Sequence, residues 1–451
     1  MEILKLSEIA QACGGSYSKE TQINAVCIDT RKITPGCLFI CIKGERFDAH
    51  QFAEEALLKG AAAVMISEDI PINGAYIKVE NTAKAILDLS AYYRSRFQLH
   101  LIGLTGSVGK TTTKEFTYLV LNAKYNTIKT LGNLNNEIGL PQMLFQIDRN
   151  TQAAVIEMGM NHFGEISRLA SAAKPTAAII TNIGVSHIEN LGSREGILKA
   201  KLEILNGLCE NAPLILNGDN DLLSQVKSEK HKVYFYGIEC KADFKAVNIT
   251  EENGFTDFTV RYFGNEQKIR IPVIGIHNVY NALAAFAAGY VFDVDAADAA
   301  EALSAYVPEG MRQKSVIKNG ITVIEDCYNA SPDSMKAALQ TLVSTKGNKK
   351  IAVFSDMLEL GSYSKAAHFS VGEMCAEYGV DYLLCVGTDA KYIIDGAKSK
   401  NLKTAYLYNS KEALTDKLAE LAETGDAVVF KASRGMHLED VIFEIYKRWE
   451  S

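Results

Sequence analysis

Short apolar runs separated by stretches with helical spacing organise the chain, and their rhythm changes twice along its length. Over residues 1–97, β-rich runs such as 36–42 alternate with helical segments such as 51–59 and close on a helix-like stretch at 82–97, the pattern of a small α/β unit. At 99–104 a purely apolar run stops at Thr105-Gly106 and resumes as a helix after Lys110, which reads as strand, loop, helix. Apolar runs at 153–158, 177–181 and 213–216, each separated by a helical pattern, predict a parallel sheet covered by helices on both faces. A polar, alternating stretch at 257–273 predicts antiparallel and less buried strands, and a helix over 281–292 leads to the turn-rich Pro308-Glu309-Gly310. Beyond it, strands near 321–324, 350–354, 382–386, 404–408 and 427–431 alternate with helices as in a doubly wound sheet. The expected fold class is therefore α/β in three domains: a small N-terminal α/β domain at 1–97, a P-loop parallel-sheet domain at 98–308, and a C-terminal Rossmann-like domain at 309–451. A length of 451 residues suits three domains at about 150 residues each.

Composition adds mainly exclusions. Hydrophobic residues make up 47% and charged residues 22%, ordinary globular usage with enough apolar material for several cores. A formal charge of -7 gives no general reason to bind nucleic acid or an anionic membrane, so anionic ligands need local sites. Glu2, Lys5 and Glu8 interrupt the N-terminal apolar residues, unlike a signal peptide, and apolar runs such as 281–292 fall short of the roughly 20 residues that cross a bilayer. The nine cysteines, odd in number and without a C-x-x-C pair, fit reduced thiols of the cytoplasm, and Cys13, Cys27, Cys37, Cys41 and the rest are expected to fill cores.

The strongest chemical signal is Thr105-Gly106-Ser107-Val108-Gly109-Lys110-Thr111-Thr112-Thr113, because it lies where a strand gives way to a helix. Its glycines let the backbone approach phosphate oxygens, the helix start presents unpaired N–H groups, Lys110 supplies a charge and the Thr111 hydroxyl can ligate magnesium. A nucleoside triphosphate is the expected ligand. The strict P-loop pattern places glycine at position 104, where this chain has Leu104, so the motif is either a chance match or a subclass with a shorter glycine frame. Downstream residues favour the subclass. Glu157 ends one apolar run and His187 follows the next, after Asn182-Ile183-Gly184; in a parallel sheet both open onto the edge where the phosphate loop lies, a suitable place for Mg²⁺-ATP. Taken singly, Glu157 reads equally well as a solvated loop residue and His187 as a hydrogen-bonded structural one. Lys199 and Lys201, in a helical pattern just beyond, read by themselves as a solvated face.

These residues, together with Glu157-Met158-Gly159 and His277-Asn278-Val279-Tyr280-Asn281, resemble the Mur ligases from end to end of the chain, and the short P-loop of that family accounts for Leu104. Further stretches resemble the branch that adds D-alanyl-D-alanine: 132–141 (Gly-Asn-Leu-Asn-Asn-Glu-Ile-Gly-Leu-Pro), Asp326-Cys327-Tyr328-Asn329-Ala330, Asp356-Met357-Leu358-Glu359-Leu360-Gly361 with His368, and Lys431-Ala432-Ser433-Arg434-Gly435-Met436. Asp29-Thr30-Arg31, Pro35-Gly36 and Gly44-Glu45-Arg46-Phe47-Asp48-Ala49-His50 resemble the domain that holds the uridine diphosphate end of the substrate. Arg31 suits a diphosphate, whereas Phe47 is explained as well by packing.

The resemblance implies an ATP-dependent ligase that joins D-alanyl-D-alanine to UDP-N-acetylmuramoyl-tripeptide through an acyl phosphate, for peptidoglycan synthesis in the cytoplasm. It implies Gly106, Ser107, Val108, Gly109, Lys110, Thr111, Thr112, Asn278, Asn281, Arg312 and Asp326 around ATP. It implies Thr30, Arg31, Asp48, His50, Asn136 and Arg434 around the other substrates, with Lys110, Glu157, His187 and Lys201 as the catalytic set. The family lysine in the frame Ala200-Lys201-Leu202-Glu203-Ile204 is N6-carboxylated, so Mg²⁺ is expected on Thr111, Glu157, His187 and a carbamylated Lys201. Three positions depart from the family: Val108 where Asn is common, Met311 between Gly310 and Arg312, and Ala432 where Gly is usual.

Two rival readings stand beside it. Folylpolyglutamate synthase shares the P-loop and the ligase logic but not the uridine-type first domain, and a P-loop switch would carry an N-K-x-D guanine motif that is absent. No motif selects lysine or diaminopimelate at the third peptide position, nor the base for the amine, for which Glu157, Asp326 and bulk water stay open. No motif sets the oligomeric state, for which a monomer is the default expectation.

Overall fold

The computed structural model describes residues 1–44, 47–308 and 310–450; Glu45-Arg46 of the N-terminal motif and Glu309 of the expected second boundary lie outside the described residues. Three sheets follow one another along the chain, accompanied by a two-stranded antiparallel pair of Leu4–Lys5 with Gln22–Ile23.

The first sheet runs Ser16–Tyr17, Tyr76–Lys78, Ala63–Ile66, Cys37–Ile40, Ala25–Cys27, with only its first pair antiparallel. The helix Thr82–Arg94 starts on Asn81, whose Oδ1 accepts the Lys84 N–H at 2.9 Å, and it buries Ile86, Leu89 and Tyr93. Its far end rests on the second sheet's layer. The Tyr93 hydroxyl donates to the Ile147 carbonyl at 2.6 Å and Arg94 Nε to that of Ala173 at 3.0 Å.

The second sheet has nine strands in the order Asn265–Ile271, Phe255–Tyr262, Phe244–Glu252, Lys232–Gly237, Pro213–Asn217, Ala177–Ile180, His100–Thr105, Ala153–Glu157, Thr127–Lys129. All pairings are parallel except the two that join the first three strands. The apolar run expected at 99–104 is the strand His100–Thr105, flanked by Ala153–Glu157 and Ala177–Ile180. That order makes His100–Thr105 the switch point, where a crevice opens at the carboxyl ends of the strands. Behind it, helix Lys110–Asn122 packs on helix Ile276–Val291, whose Ala282, Ala284, Ala285, Ala287 and Ala288 are fully buried. Small residues let the axes approach closely: a Cβ on Gly289 would lie 2.5 Å from Val120 Cγ1.

The third sheet runs Lys314–Lys318, Ile321–Asp326, Ala427–Lys431, Lys350–Phe354, Tyr382–Val386, Ala405–Tyr408, parallel apart from its first hairpin. Val185, in a loop of the second sheet, packs against the apolar core of the third and seats one unit on the other.

Several details differ from the sequence expectations. The helix expected over 281–292 begins at Ile276, because its first turns carry His277, Asn278, Tyr280 and Asn281 towards the cleft and so lack an apolar signature. Strands Phe244–Glu252 and Lys314–Lys318 carry no apolar run to predict them, because only Phe244 and Ala246 of the first and no residue of the second are fully buried. Residues 49–52 form a 3₁₀ turn ahead of the helix Ala53–Leu58. Cys27, Cys37, Cys41, Cys327, Cys375 and Cys385 are buried as expected of core fillers, but Cys13 and Cys240 are half-buried and Cys209 is exposed. No described helix is long and apolar enough to cross a membrane.

Candidate active site between the second and third sheets

A cleft of about 740 Å³ lies at the carboxyl ends of the second sheet's central strands and is closed from above by residues of the third. That volume suits a nucleotide with part of a second ligand. Its lining includes all seven loop residues from Gly106 to Thr112, together with Asn136, Glu157, His187, Lys201, Asn278, Asn281, Arg312 and Asp326. Thr30, Arg31, Asp48, His50 and Arg434 lie outside it.

The phosphate loop is held from beneath. Gly106 has φ 156° and a Cβ there would lie 1.8 Å from Thr181 Oγ1, while Gly109, at φ 78°, would place one 2.6 Å from Asn281 Oδ1; neither position accepts a side chain. Asn182 Oδ1 accepts the N–H groups of Ser107 at 3.1 Å and Val108 at 2.9 Å, and Thr181 Oγ1 donates to the Val108 carbonyl at 2.7 Å. The N–H groups of Lys110, Thr111 and Thr112 form the first turn of their helix, where no intrahelical acceptor exists. Lys110 Nζ folds back onto the Gly106 carbonyl at 2.8 Å; burial pulls its pKa down, against the pull of Glu157.

Glu157 is buried at the end of its strand, with both carboxylate oxygens engaged. The Thr111 hydroxyl donates to Oε2 at 3.1 Å and Asn135 Nδ2 to Oε1 at 2.9 Å. Buried Lys114 stands 4.0 Å from Oε2 and 3.2 Å from Glu115, so the negative charge is balanced from behind. His187 has φ 63°, unusual for a residue with a Cβ, and its Nδ1 lies 2.7 Å from Glu359 Oε2 of the third domain, off the hydrogen-bonding axis.

Lys201 is only 1% exposed and has no ion pair or hydrogen bond among the described residues. Burial, followed by the nearby charge of Lys110, pushes its pKa far down, so the side chain favours the neutral, nucleophilic amine. Its neighbour Lys199 lies instead over the Phe163 ring at 5.7 Å. The donor set tests well for a divalent cation. Thr111 and Glu157 supply hard oxygens and His187 an imidazole, and a carboxylated Lys201 would add a carboxylate oxygen where the unmodified side chain offers only an amine.

The third sheet closes the roof. Asp326 and Lys431 end neighbouring strands and pair at 2.6 Å, both buried at the edge of the cleft; burial raises the Asp326 pKa against the pull of Lys431. Lys431 also donates to the Asn329 carbonyl at 3.0 Å. The Arg312 guanidinium lies 3.7 Å above the Tyr328 ring, and the next residue, Gln313, crosses to the second domain, where its Oε1 sits 2.6 Å from His277 Nε2. Burial lowers the His277 pKa to about 4. Asn281 accepts from Thr113 at 3.0 Å and donates to Asn278 at 3.3 Å, while Tyr280 donates to Asp219 Oδ2 at 2.8 Å. Burial of Asp219 is outweighed by the N–H groups of Ile238, Glu239 and Cys240, and its pKa falls to about 2.

The remaining expected residues sit elsewhere. Arg31 is highly exposed and chelates Asp29, with Nη2 2.8 Å from Oδ2, and Thr30 opens the same 3₁₀ turn. His50 is buried, with Nδ1 2.6 Å from Asp48 and Nε2 accepting the Ser67 N–H at 2.9 Å. Asn136 Oδ1 accepts the Gly139 N–H at 2.8 Å, leaving its amide group on the cleft wall, and Arg434 pairs with Glu439 at 2.9 Å. His368 is fully buried and accepts the Met357 N–H at 2.9 Å, a structural role.

Asn135, Lys114, Asp219, Gln313 and Glu359 belong to this network but were not singled out for a role there. Asn135 and Glu359 lie inside motifs quoted above, and Lys114 and Gln313 directly follow Thr113 and Arg312, a signal that was available; Asp219 carries none in the sequence.

Three family models match the chain: "Mur ligase family, catalytic domain" over residues 22–94, "Mur ligase middle domain" over 104–289, and "Mur ligase, glutamate ligase domain" over 311–434. The UDP-N-acetylmuramoyl-tripeptide–D-alanyl-D-alanine ligase of Bacillus subtilis is 42% identical over 433 residues, 95% of this chain and 94% of that one. Among solved structures, MurF from Acinetobacter baumannii superposes with a TM-score of 0.94 at 31% identity over 99% of both chains. MurF from Thermotoga maritima, solved with ADP, gives 0.86 at 28% identity over 94% of this chain and 98% of that one.

Proposed function

The chain belongs to the Mur ligase family, and from that premise we propose that it joins D-alanyl-D-alanine to UDP-N-acetylmuramoyl-tripeptide at the expense of ATP, releasing ADP and phosphate. The observation that carries this reading is the convergence of the phosphate loop, Glu157, His187 and Lys201 on one cleft roofed by Arg312 and Asp326.

A carboxylate does not acylate an amine in water, so the tripeptide carboxylate first attacks the γ-phosphorus of ATP and ADP departs, leaving an acyl phosphate. The chain's task is to hold two anions together. Backbone N–H groups at the start of the Lys110–Asn122 helix, the Lys110 ammonium and the Arg312 guanidinium face the triphosphate from opposite sides. Bound Mg²⁺ would neutralise charge on the transferring phosphoryl group, held by Thr111, Glu157, His187 and carboxylated Lys201. The amine of D-alanyl-D-alanine then attacks the acyl carbon, loses a proton, and expels phosphate as the amide forms. The cleft roof excludes the water that would hydrolyse the acyl phosphate.

In this reading residues 1–97 hold the uridine diphosphate end with Thr30 and Arg31 at the surface, while Asp48 and the buried His50, whose ring nitrogens are already engaged by Asp48 and Ser67, brace the neighbouring turn and do not reach the ligand through the imidazole; residues 98–308 bind ATP; and residues 309–451 close over it and receive the dipeptide near Arg434. Asn136 faces the cleft where the tripeptide carboxylate must arrive. The enzyme works as a cytoplasmic monomer.

Phosphate release with Mg²⁺-ATP, D-alanyl-D-alanine and the tripeptide substrate in lysine or diaminopimelate form, each omitted in turn, tests the proposal. Release that needs every component, with a pentapeptide product by mass, supports it and selects the tripeptide. Release driven by folate and glutamate instead would overturn it.

A further inference from the structure

The segment Asp356-Met357-Leu358-Glu359-Leu360-Gly361 takes no part in the chemistry above, yet the fold fixes it in place. The Asp356 carboxylate accepts three N–H groups, from Thr388 at 2.9 Å, Asp389 at 3.1 Å and Ala390 at 2.7 Å. The Met357 N–H donates to buried His368, the Leu358 N–H donates to Ser433 Oγ at 2.9 Å, and the Met357 and Leu360 side chains are buried. Between these anchors Glu359 adopts φ 64° and reaches His187, itself at φ 63°. Two residues bearing Cβ atoms thus hold left-handed conformations where they meet, a pattern that concentrates at functional sites.

Docking does not explain the contact. The Glu359 side chain is 57% exposed, and an ion pair so exposed contributes little to holding two domains together. The apolar contact of Val185 with the third core and the close approach of Gly361 to Glu189 already seat the domains. The carboxylate stands 2.7 Å from Nδ1, off the hydrogen-bonding axis, so it crowds that side of an imidazole that lines the cleft and leaves Nε2 as the nitrogen clear of it.

We propose that Glu359 is a positioning residue for His187, setting its ring orientation for cation binding. Because the carboxylate belongs to the third domain, the metal site is completed only when that domain is seated. The inference rests on the reading of His187 as a metal ligand. Carboxylates that orient metal-bound histidines are a general device, and removing one weakens metal affinity about 10- to 100-fold.

Mn²⁺ titration of the full-length protein with a non-hydrolysable ATP analogue, free Mn²⁺ being counted by paramagnetic resonance, separates the two readings without relying on turnover. Glu359→Ala is expected to raise the Mn²⁺ dissociation constant about tenfold. Glu359→Gln, which keeps an acceptor oxygen and the side-chain volume, is expected to fall between it and the parent. His187→Ala is expected to lose at least as much, and the double variant no more than His187→Ala alone, since both changes remove one arrangement. Parental affinity in His187→Ala would sink the metal-ligand reading itself. Weakened binding in His187→Ala beside parental binding in Glu359→Ala, or effects that add in the double variant, would overturn the positioning role alone.

Discussion

The Thr111 hydroxyl donates to Glu157 Oε2 across 3.1 Å, joining the first turn of the phosphate-loop helix to the end of the neighbouring strand. Both groups are hard oxygen ligands, and the pairing exists because Ala153–Glu157 lies directly beside His100–Thr105 in parallel register.

Glu157→Gln keeps the shape and the Asn135 contact but removes the charge that faces a cation. With Lys114 still paired to Glu115 at 3.2 Å, little stability should be lost, within about 1 kcal/mol. The rate of phosphate release should fall about 100-fold or more, since a charge that acts on the transferring phosphoryl group is gone. A parental rate at saturating Mg²⁺ would remove Glu157 from the metal site.

Lys201 sets stability against chemistry. Its pKa in the folded chain lies well below the ordinary lysine value, so the unfolded chain binds more protons across the range between the two and burial of the amine costs stability there. Lys201→Met should therefore raise stability by about 1 kcal/mol at pH 7 in buffer stripped of carbon dioxide, while ligation is abolished. Supplied with ¹³C-bicarbonate, the parent should show a carbamate carbonyl resonance that Lys201→Arg lacks.

The His277 imidazole is held to a pKa of about 4 by burial, against about 6.5 in the unfolded chain. Between those values the unfolded state binds the extra proton, so stability is fully present above about pH 6.5 and falls as the pH drops towards 4. Between pH 7.5 and 4, urea unfolding of the parent should lose of order 2 kcal/mol more than that of His277→Gln, which can still meet Gln313. Parallel pH profiles for the two proteins would rule this out.

Asp326 and Lys431 form a buried pair at 2.6 Å, and removing one charge strands the other. Asp326→Asn should cost about 3 kcal/mol in urea unfolding, whereas the double change Asp326→Asn with Lys431→Met should recover most of it. If the double variant were as unstable as the single one, the loss would come from packing and not from the unpaired ammonium.

The arrangement of elements was legible wherever burial writes itself into the chain. The run at 99–104, the strands of the third sheet other than the exposed Lys314–Lys318, and the glycine frame of the phosphate loop all gave their positions, because a strand covered by its neighbours is largely apolar and a loop that approaches phosphate must lack side chains. Glu157 and His187 could be placed near that loop by the same logic, since parallel strands deliver their carboxyl ends to one edge. Polar networks obey no such periodicity. That Lys201 is buried with no acceptor among the described residues while Lys199 faces Phe163 follows from which side of one helix meets the cleft. That Gln313 reaches His277 and Glu359 reaches His187 follows from how the third domain seats on the second. The sequence by itself determined most strands of the sheets and the phosphate loop, because local patterning encodes burial and backbone freedom, while the class of chemistry came from motifs shared with a known family. Only the tertiary structure decided which polar groups share a site, because contacts between residues distant along the chain leave no spacing to read.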